Sequence, residues 1–137
     1  EYAKTKNVRI AFENIRKLAN HAYLLDKLPD ATFCWDTGHE ECFAYGMRFM
    51  PIFGDRLDVV HIHDNYKLPN GDDHMLPFDA EIDFDRVAEH IRNAKFEGTV
   101  MLEVTYKKGV IYEGYTPEQF FERAYNAAAR LRTLIDG

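Results

Sequence analysis

Residues 57–65 read Leu-Asp-Val-Val-His-Ile-His-Asp-Asn. The apolar and β-branched residues of this stretch predict a buried strand over 58–63. His61 and His63 are two residues apart on it, so their side chains point to the same side of the sheet. His63 is nearer to the carboxyl end, where a site would open. We therefore expect His63 to be a ligand and His61 to be structural.

Strands and helices alternate on both sides of this stretch. Short apolar runs predict three more strands, over 8–12, 32–35 and 99–102. Apolar residues at helical spacing predict helices over 15–28, 84–94 and 116–135, and a helix over 41–53 that Gly46 and Pro51 interrupt. Four successive β-α units require a parallel sheet, so the fold class is α/β.

The sequence also predicts two helix starts and the exposure of two histidines on helices. Asp83 is placed to cap the helix over 84–94, and Thr116 with Pro117 is a typical start for the last helix. His21 and His90 fall on predicted helices far from any strand end. We expect both of them at the surface.

An ionisable side chain stands at the carboxyl end of each predicted strand: Glu13, Asp36, His63 and Glu103. In parallel α/β folds these ends share one rim, where ligands bind. Three carboxylates and one imidazole suit Mn²⁺, Mg²⁺, Co²⁺ or Zn²⁺, and the oxygen-rich set favours the harder ions. The sequence therefore predicts a divalent metal site at this rim.

Two other segments are candidates for the same rim. A turn at Gly38 can bring Asp36 and His39 into one space. The long polar loop 65–83 contains Asp72 and His74, which are either additional metal ligands or ordinary loop residues.

Composition restricts the class of protein. The chain has 137 residues, 46% of them hydrophobic, which is enough for one domain with a core. A formal charge of −6 gives no basic surface for nucleic acid. No apolar run approaches the roughly 20 residues that span a bilayer, and no leader is evident. With two cysteines and no disulfide pattern, we expect a cytoplasmic protein. The chain begins with Glu1 rather than methionine, so we expect it to be a fragment.

Five segments in order carry a resemblance to a known family: Ala-Phe-Glu-Asn (11–14), Trp-Asp-Thr-Gly-His (35–39), His-Ile-His-Asp-Asn (61–65), Asp-Asp-His (72–74) and Met-Leu-Glu-Val (101–104). Together they resemble the second half of the xylose-isomerase-like TIM barrel superfamily, which includes sugar and sugar-phosphate isomerases and epimerases and the apurinic endonucleases. The resemblance implies that residues 1–137 are a (β/α)₄ half-barrel, strands five to eight of a TIM barrel. It implies either a missing amino-terminal half-barrel or a homo-oligomer.

The resemblance also implies roles for residues. The metal ligands are those at the strand ends, Glu13, Asp36, His63 and Glu103, and the first and last of these also exchange a proton with the substrate. His39 contacts substrate or a second metal, Asp72 and His74 match a pair that binds an additional zinc in the endonucleases, and Lys67 is the candidate basic contact to substrate. The expected activity is isomerisation or epimerisation of a sugar or sugar phosphate through an enediolate.

Two alternatives stay open at this point. One is a multi-zinc phosphodiesterase of the apurinic endonuclease type, with Asp72 and His74 as extra ligands. The other is a catalytically incompetent half-barrel that serves as a binding or scaffold module.

Overall fold

A computed structural model describes residues 1–106 and 111–137 of the chain. Four parallel strands form one sheet in the order β1-β2-β3-β4. The strands are β1 (Ala11–Glu13), β2 (Thr32–Asp36), β3 (Leu57–Ile62) and β4 (Val100–Leu102). The helices are α1 (Tyr2–Thr5), α2 (Leu18–Lys27), α3 (Thr37–Phe43), α4 (Met50–Phe53), α5 (Phe84–Asn93) and α6 (Pro117–Asp136), with a 3₁₀ turn at Gly54–Arg56. This arrangement confirms the predicted α/β class and matches half of a TIM barrel.

Strand alternation separates a core face from an inner face. Phe33 and Trp35 on β2, with Val60 and Ile62 on β3, are fully buried among side chains of the helices. The residues that alternate with them, including Asp36 and His61, therefore point to the opposite face of the sheet. That face would be the interior of a closed barrel, and the polar side chains at its carboxyl end form the candidate site.

Several predicted boundaries differ from the structure. The first strand is Ala11–Glu13 rather than 8–12, because only its residues pair with β2. The first long helix begins at Leu18 rather than residue 15, and the predicted turn at Gly38 is instead the first turn of α3. The interruption within 41–53 is confirmed: α3 and α4 are separate helices, and Gly46 between them has a φ of 83°.

Helix starts agree better with the sequence. Asp83 accepts a hydrogen bond from the Arg86 amide, and Thr116 forms a reciprocal capping box with Gln119. The prediction missed a third cap, Asp36, whose carboxylate accepts from the His39 amide at 2.6 Å.

The prediction for the helical histidines was wrong. His21 is only 4% exposed and packs edge-on against Phe33 and Phe53 at ring distances of 5.0 Å. His90 is partly buried, with its ring edge-on to Trp35. Both side chains point toward the sheet, which helical spacing alone did not reveal.

The long loop after β3 is ordered by Asp64. The backbone of this residue pairs with Met75 in an antiparallel bridge. Its buried carboxylate accepts hydrogen bonds from the amides of Asn65, Ala80 and Ile82. These bonds fold the loop back over the end of β3, which positions the segment that carries Asp72 and His74.

Helices that could cross a bilayer do not occur within residues 1–106 and 111–137.

Candidate metal centre

Asp36 lies at the centre of the rim. It ends β2, caps α3, and is completely buried. The side chain of Asn14 holds its backbone on both sides, since Asn14 Oδ1 accepts from the Asp36 amide at 2.7 Å and Asn14 Nδ2 donates to the Asp36 carbonyl at 2.8 Å. Two hydrogen bonds thus fix the backbone of Asp36, and a third, from the His39 amide, fixes its carboxylate.

Four side chains converge on the inner face around this carboxylate: Glu13, Asp36, His61 and Glu103. One potential ligand atom from each lies within 4.8 Å of the others. His61 Nδ1 lies 2.7 Å from Glu103 Oε2 and 3.2 Å from Glu13 Oε1. We call this set the carboxylate-rich group.

The imidazole in this group is that of His61, whereas the sequence favoured His63, whose role as a ligand stays a prediction. The strand register explains the difference: His61 is paired with Asp36, at the same level of the sheet. His63 lies one pleat repeat further toward the rim, beyond the end of β3. Alternation in the sequence identifies the face of the strand, and the pairing register adds that His61 is level with Asp36.

His63 belongs to a second set with His39, Asp72 and His74, which we call the histidine-rich group. Asp72 lies at its centre, 3.4 Å from His39 Nε2, 3.5 Å from His63 Nε2 and 3.3 Å from His74 Nε2. The rings of His63 and His74 stack with centroids 4.1 Å apart. The structure thus brings together the His39, Asp72 and His74 that the sequence had singled out.

The two groups are adjacent. His63 Nε2 lies 3.2 Å from Asp36 Oδ1, and His39 Nδ1 lies 3.5 Å from Glu13 Oε1. Asp36 and Glu13 therefore face both groups, so an ion in one group would influence charges in the other.

Unpartnered polar atoms indicate that the donors suit a cation. Among the described residues, five buried atoms of these groups make no hydrogen bond of acceptable geometry, although some lie close to one another, as Glu103 Oε2 does to His61 Nδ1: Asp36 Oδ2, His39 Nδ1, His63 Nε2, Asp72 Oδ1 and Glu103 Oε2. Buried polar atoms are rarely left unpaired. Within residues 1–106 and 111–137, no lysine or arginine forms an ion pair with the three carboxylates of the carboxylate-rich group. A divalent ion would satisfy both features.

The tautomer of His74 is also one that suits a metal ligand. His74 Nδ1 lies 2.7 Å from the carbonyl oxygen of Glu103, which can only accept, so this nitrogen carries the proton. His74 Nε2 is then left to face Asp72. Metal-binding histidines are typically oriented by such a bond from the other ring nitrogen.

The pKa values of the second group reflect close charge pairing. Hydrogen bonds to Asp72, against the opposing effect of burial, raise the pKa of His74 to about 9. Burial would raise the pKa of Asp72, but hydrogen bonds from His39 and His74 outweigh it and hold that pKa far below its usual value. For Asp36, the effect of burial is likewise outweighed by His63 and His39, so its pKa is lowered.

A close contact fixes His63 against α3. A Cβ atom built on Gly38 would lie 1.9 Å from His63 Cε1, so only glycine fits there. Asn65 Nδ2 also donates to the Gly38 carbonyl at 3.0 Å. The first turn of α3 and the His63 ring are therefore in direct contact.

Lys67, the candidate substrate contact, is exposed in the loop after β3 and has a φ of 54°. Its amide donates to Asn65 Oδ1 at 2.9 Å. It belongs to neither group of metal-ligand candidates.

The raised pKa of His74 predicts a pH dependence of stability in chelator-treated protein. Its pKa rises from 6.5 to about 9 on folding, so the protonated form stabilises the folded state. This stabilisation is complete below pH 6.5 and is lost as the pH rises through about 9. We expect the free energy of unfolding, measured in urea, to fall over that interval, and His74→Gln to reduce the fall. The remainder would come from His39, whose pKa is also raised, against the effect of burial, by its hydrogen bond to Asp72. Equal slopes in the two proteins would contradict the assignment.

Comparisons with known proteins agree with this architecture. A family model described as xylose isomerase-like TIM barrel matches residues 1–134. The uncharacterized protein y4fM of Sinorhizobium fredii (strain NBRC 101917 / NGR234) is 31% identical over 141 residues, which cover 95% of this chain and 43% of that protein. The chain thus spans less than half the length of this relative.

Solved structures show the same fold at low identity. A D-psicose 3-epimerase, crystallised in the presence of D-fructose, aligns with a TM-score of 0.74 at 16% identity, over 99% of this chain and 52% of that chain. A xylose isomerase domain protein from Alicyclobacillus acidocaldarius aligns with a TM-score of 0.74 at 19% identity, over 98% and 53%. The chain accordingly corresponds to about half of each structure. With a family model that matches nearly its whole length, the chain belongs to the xylose isomerase-like TIM barrel family.

Proposed function

We propose that this chain is the (β/α)₄ carboxyl-terminal half of a metal-dependent isomerase or epimerase that acts on a sugar or sugar phosphate. The observation that carries the proposal is the carboxylate-rich group at the strand ends, with its unpartnered buried oxygens. The D-psicose 3-epimerase that has the same fold supports the substrate class.

The residues of the carboxylate-rich group would hold a divalent ion, Mn²⁺, Mg²⁺, Co²⁺ or Zn²⁺. Oxygen-rich donor sets favour the harder of these ions. When bound, such an ion supplies Lewis-acid polarisation of a substrate carbonyl. The proposed imidazole ligand is His61, level with Asp36; His63, the ligand predicted from the sequence, lies 3.2 Å from Asp36 and stays a candidate.

The three carboxylates differ in solvent exposure, and we assign their roles accordingly. Asp36 has no exposed surface, so it can only hold and orient. The side chains of Glu13 and Glu103 are 27% and 41% exposed, so a substrate can reach them. We assign the proton exchange to these two: one removes the proton from the carbon next to the carbonyl, and the other returns a proton to the enediolate.

Two residues are proposed to contact the substrate. His39 lies between the two groups and can orient a hydroxyl through its ring nitrogens. Lys67, exposed beyond β3, is the candidate contact to a phosphate or hydroxyl. The two cysteines, Cys34 and Cys42, are buried free thiols, which fits the cytoplasmic location that we propose.

Substitution of Glu103 tests the reaction. In the protein with a complete barrel, loaded with Mn²⁺, we expect Glu103→Gln to lower kcat for epimerisation of a ketohexose such as D-fructose by ~10²–10⁴-fold, because a positioned acid-base group contributes that much. The control is Glu97→Gln, at an exposed position before β4. Activity retained in Glu103→Gln would refute the role.

A second candidate function is phosphodiester hydrolysis by a multi-zinc centre. The observation that favours it is the histidine-rich group, whose Asp72 and His74 would be extra ligands. Against it stands the formal charge of −6, since a phosphodiester substrate of the nucleic-acid class needs clustered basic residues.

Metal analysis separates the two candidates. After dialysis against metal-free buffer, we expect one divalent ion per chain by elemental analysis, lost in His61→Ala but retained in His74→Gln. Several zinc ions per chain, together with cleavage of bis-p-nitrophenyl phosphate, would favour the hydrolase instead.

The outer edges of the sheet suggest that a second half-barrel packs against this one. Within the part of the chain that the structure describes, β1 and β4 each pair with a single neighbour, whereas a closed barrel needs eight strands. Met101 on β4 is 48% exposed. We propose that an amino-terminal half-barrel of the same polypeptide or a second copy of this chain completes the barrel.

Sedimentation tests the second-copy arrangement. We expect the purified 137-residue chain to sediment as a dimer or larger assembly, and Met101→Lys to weaken association by placing a charge on the inner face. Tyr125→Lys, at an exposed position on α6, is the control. A well-folded monomer would contradict association.

A further inference from the structure

Glu40 and Glu41, directly after His39 in α3, form an ion-pair network with two arginines. Glu40 Oε1 accepts from Arg48 Nη1 and from Arg86 Nη1, each at 3.2 Å. Glu41 Oε1 accepts from Arg48 Nη1 at 2.7 Å and also from Arg86. Two negative and two positive charges thus compensate one another behind the rim.

Glu40 has a larger role in this network than Glu41. Its side chain is 1% exposed, and its second oxygen accepts from Trp35 Nε1 at 3.1 Å and from the Phe49 amide at 2.9 Å. One carboxylate therefore receives four hydrogen bonds, from β2, from the segment after α3 and from α5. Such complete pairing is what allows a charge to be buried.

The first turn of α3 must be placed accurately, because it carries His39 and contacts His63. The helix has seven residues, too few to be stable without tertiary contacts. Its first turn begins at the Asp36 cap and presses Gly38 against the His63 ring, with no space for a methyl group. A shift of α3 by a fraction of an ångström would therefore move His39 relative to the rest of the rim.

The network links α3, which carries His39, to α5, which follows the loop that carries Asp72 and His74. Arg86 lies in the first turn of α5, directly after the loop that carries Asp72 and His74. The same loop is held at its end by Asp64, through the Ile82 amide. A contact between Glu40 and Arg86 thus fixes the element that carries His39 against the element that follows Asp72.

We propose that Glu40 is a positioning residue, which anchors α3 to α5 and thereby aims His39 at Asp72 across 3.4 Å. The inference rests on the proposed function only in treating His39 as part of the site. Glu40 itself touches neither group, so its effect must pass through the backbone of α3.

The test replaces Glu40 by Gln, which keeps the shape but removes the charge. We expect the dissociation constant for Co²⁺, the probe added alone, to rise at least tenfold, because α3 starts at Asp36, one of the proposed ligands. We also expect the imidazole ¹³C and ¹⁵N chemical shifts of His39 in metal-free protein to change. The matched control is Leu131→Ala, which removes a buried contact in α6 away from the rim. At a comparable loss of thermal stability, this control should leave both readouts unchanged.

Two results would overturn the proposal. One is a Glu40→Gln protein that is less stable but keeps the Co²⁺ affinity and the His39 shifts of the parent. The other is an equal change of both readouts in Leu131→Ala, which would reduce the effect to general stability.

Two further provisions keep the test decisive. If Glu40→Gln does not fold, Arg86→Lys keeps the charge but loses the guanidinium fork, and the same changes are expected in weaker form; unchanged readouts there would overturn the proposal. If the parent protein binds no Co²⁺, the proposed metal-dependent function fails, and the His39 shifts in metal-free protein alone decide the role of Glu40.

Discussion

The buried carboxylate of Asp36 is the constraint on which the rim depends. It ends a central strand, starts α3 by capping the His39 amide, and faces both groups of candidate ligands. Burial of a charged carboxylate without a compensating partner is costly. Its pKa is lowered despite that burial because His63 and His39 stand beside it. Strand register, helix start and site geometry are therefore coupled through one side chain.

The two groups differ in their donor atoms, and they therefore differ in how strongly they require a bound cation. One combines three carboxylates with one imidazole, and the other combines three imidazoles with one carboxylate. Carboxylates so close together repel one another unless a proton or a cation is present. In the histidine-rich group, the imidazoles around Asp72 can carry that positive charge themselves, as the raised pKa of His74 indicates. In the carboxylate-rich group, the single imidazole of His61 cannot balance three negative charges, so this group has the stronger requirement for a cation.

Residues behind the rim keep these side chains in place. Asn14 holds the backbone of Asp36, Asn65 holds Gly38, and Asp64 holds the loop that follows β3. Each of these contacts is buried or partly buried and directional. Functional groups built on such supported elements keep their geometry better than groups on free loops. The outer edges of β1 and β4 are the exception, because no other described strand pairs with them.

The element order, the parallel class, the caps at Asp83 and Thr116, and the carboxylates at the strand ends could all be predicted from the sequence, because hydrophobic period and capping chemistry are local properties. The sequence also selected His39, Asp72 and His74 as one neighbourhood through a family resemblance. The tertiary structure was needed to group His61 with the carboxylates and His63 with His39, Asp72 and His74, to show that His21 is buried, and to show that Asp36 starts a helix. A period of two identifies the face of a strand, but the level at which neighbouring strands meet is set by pairing register. Register depends on the packing of the whole sheet and its helices, and no local pattern in the chain specifies it.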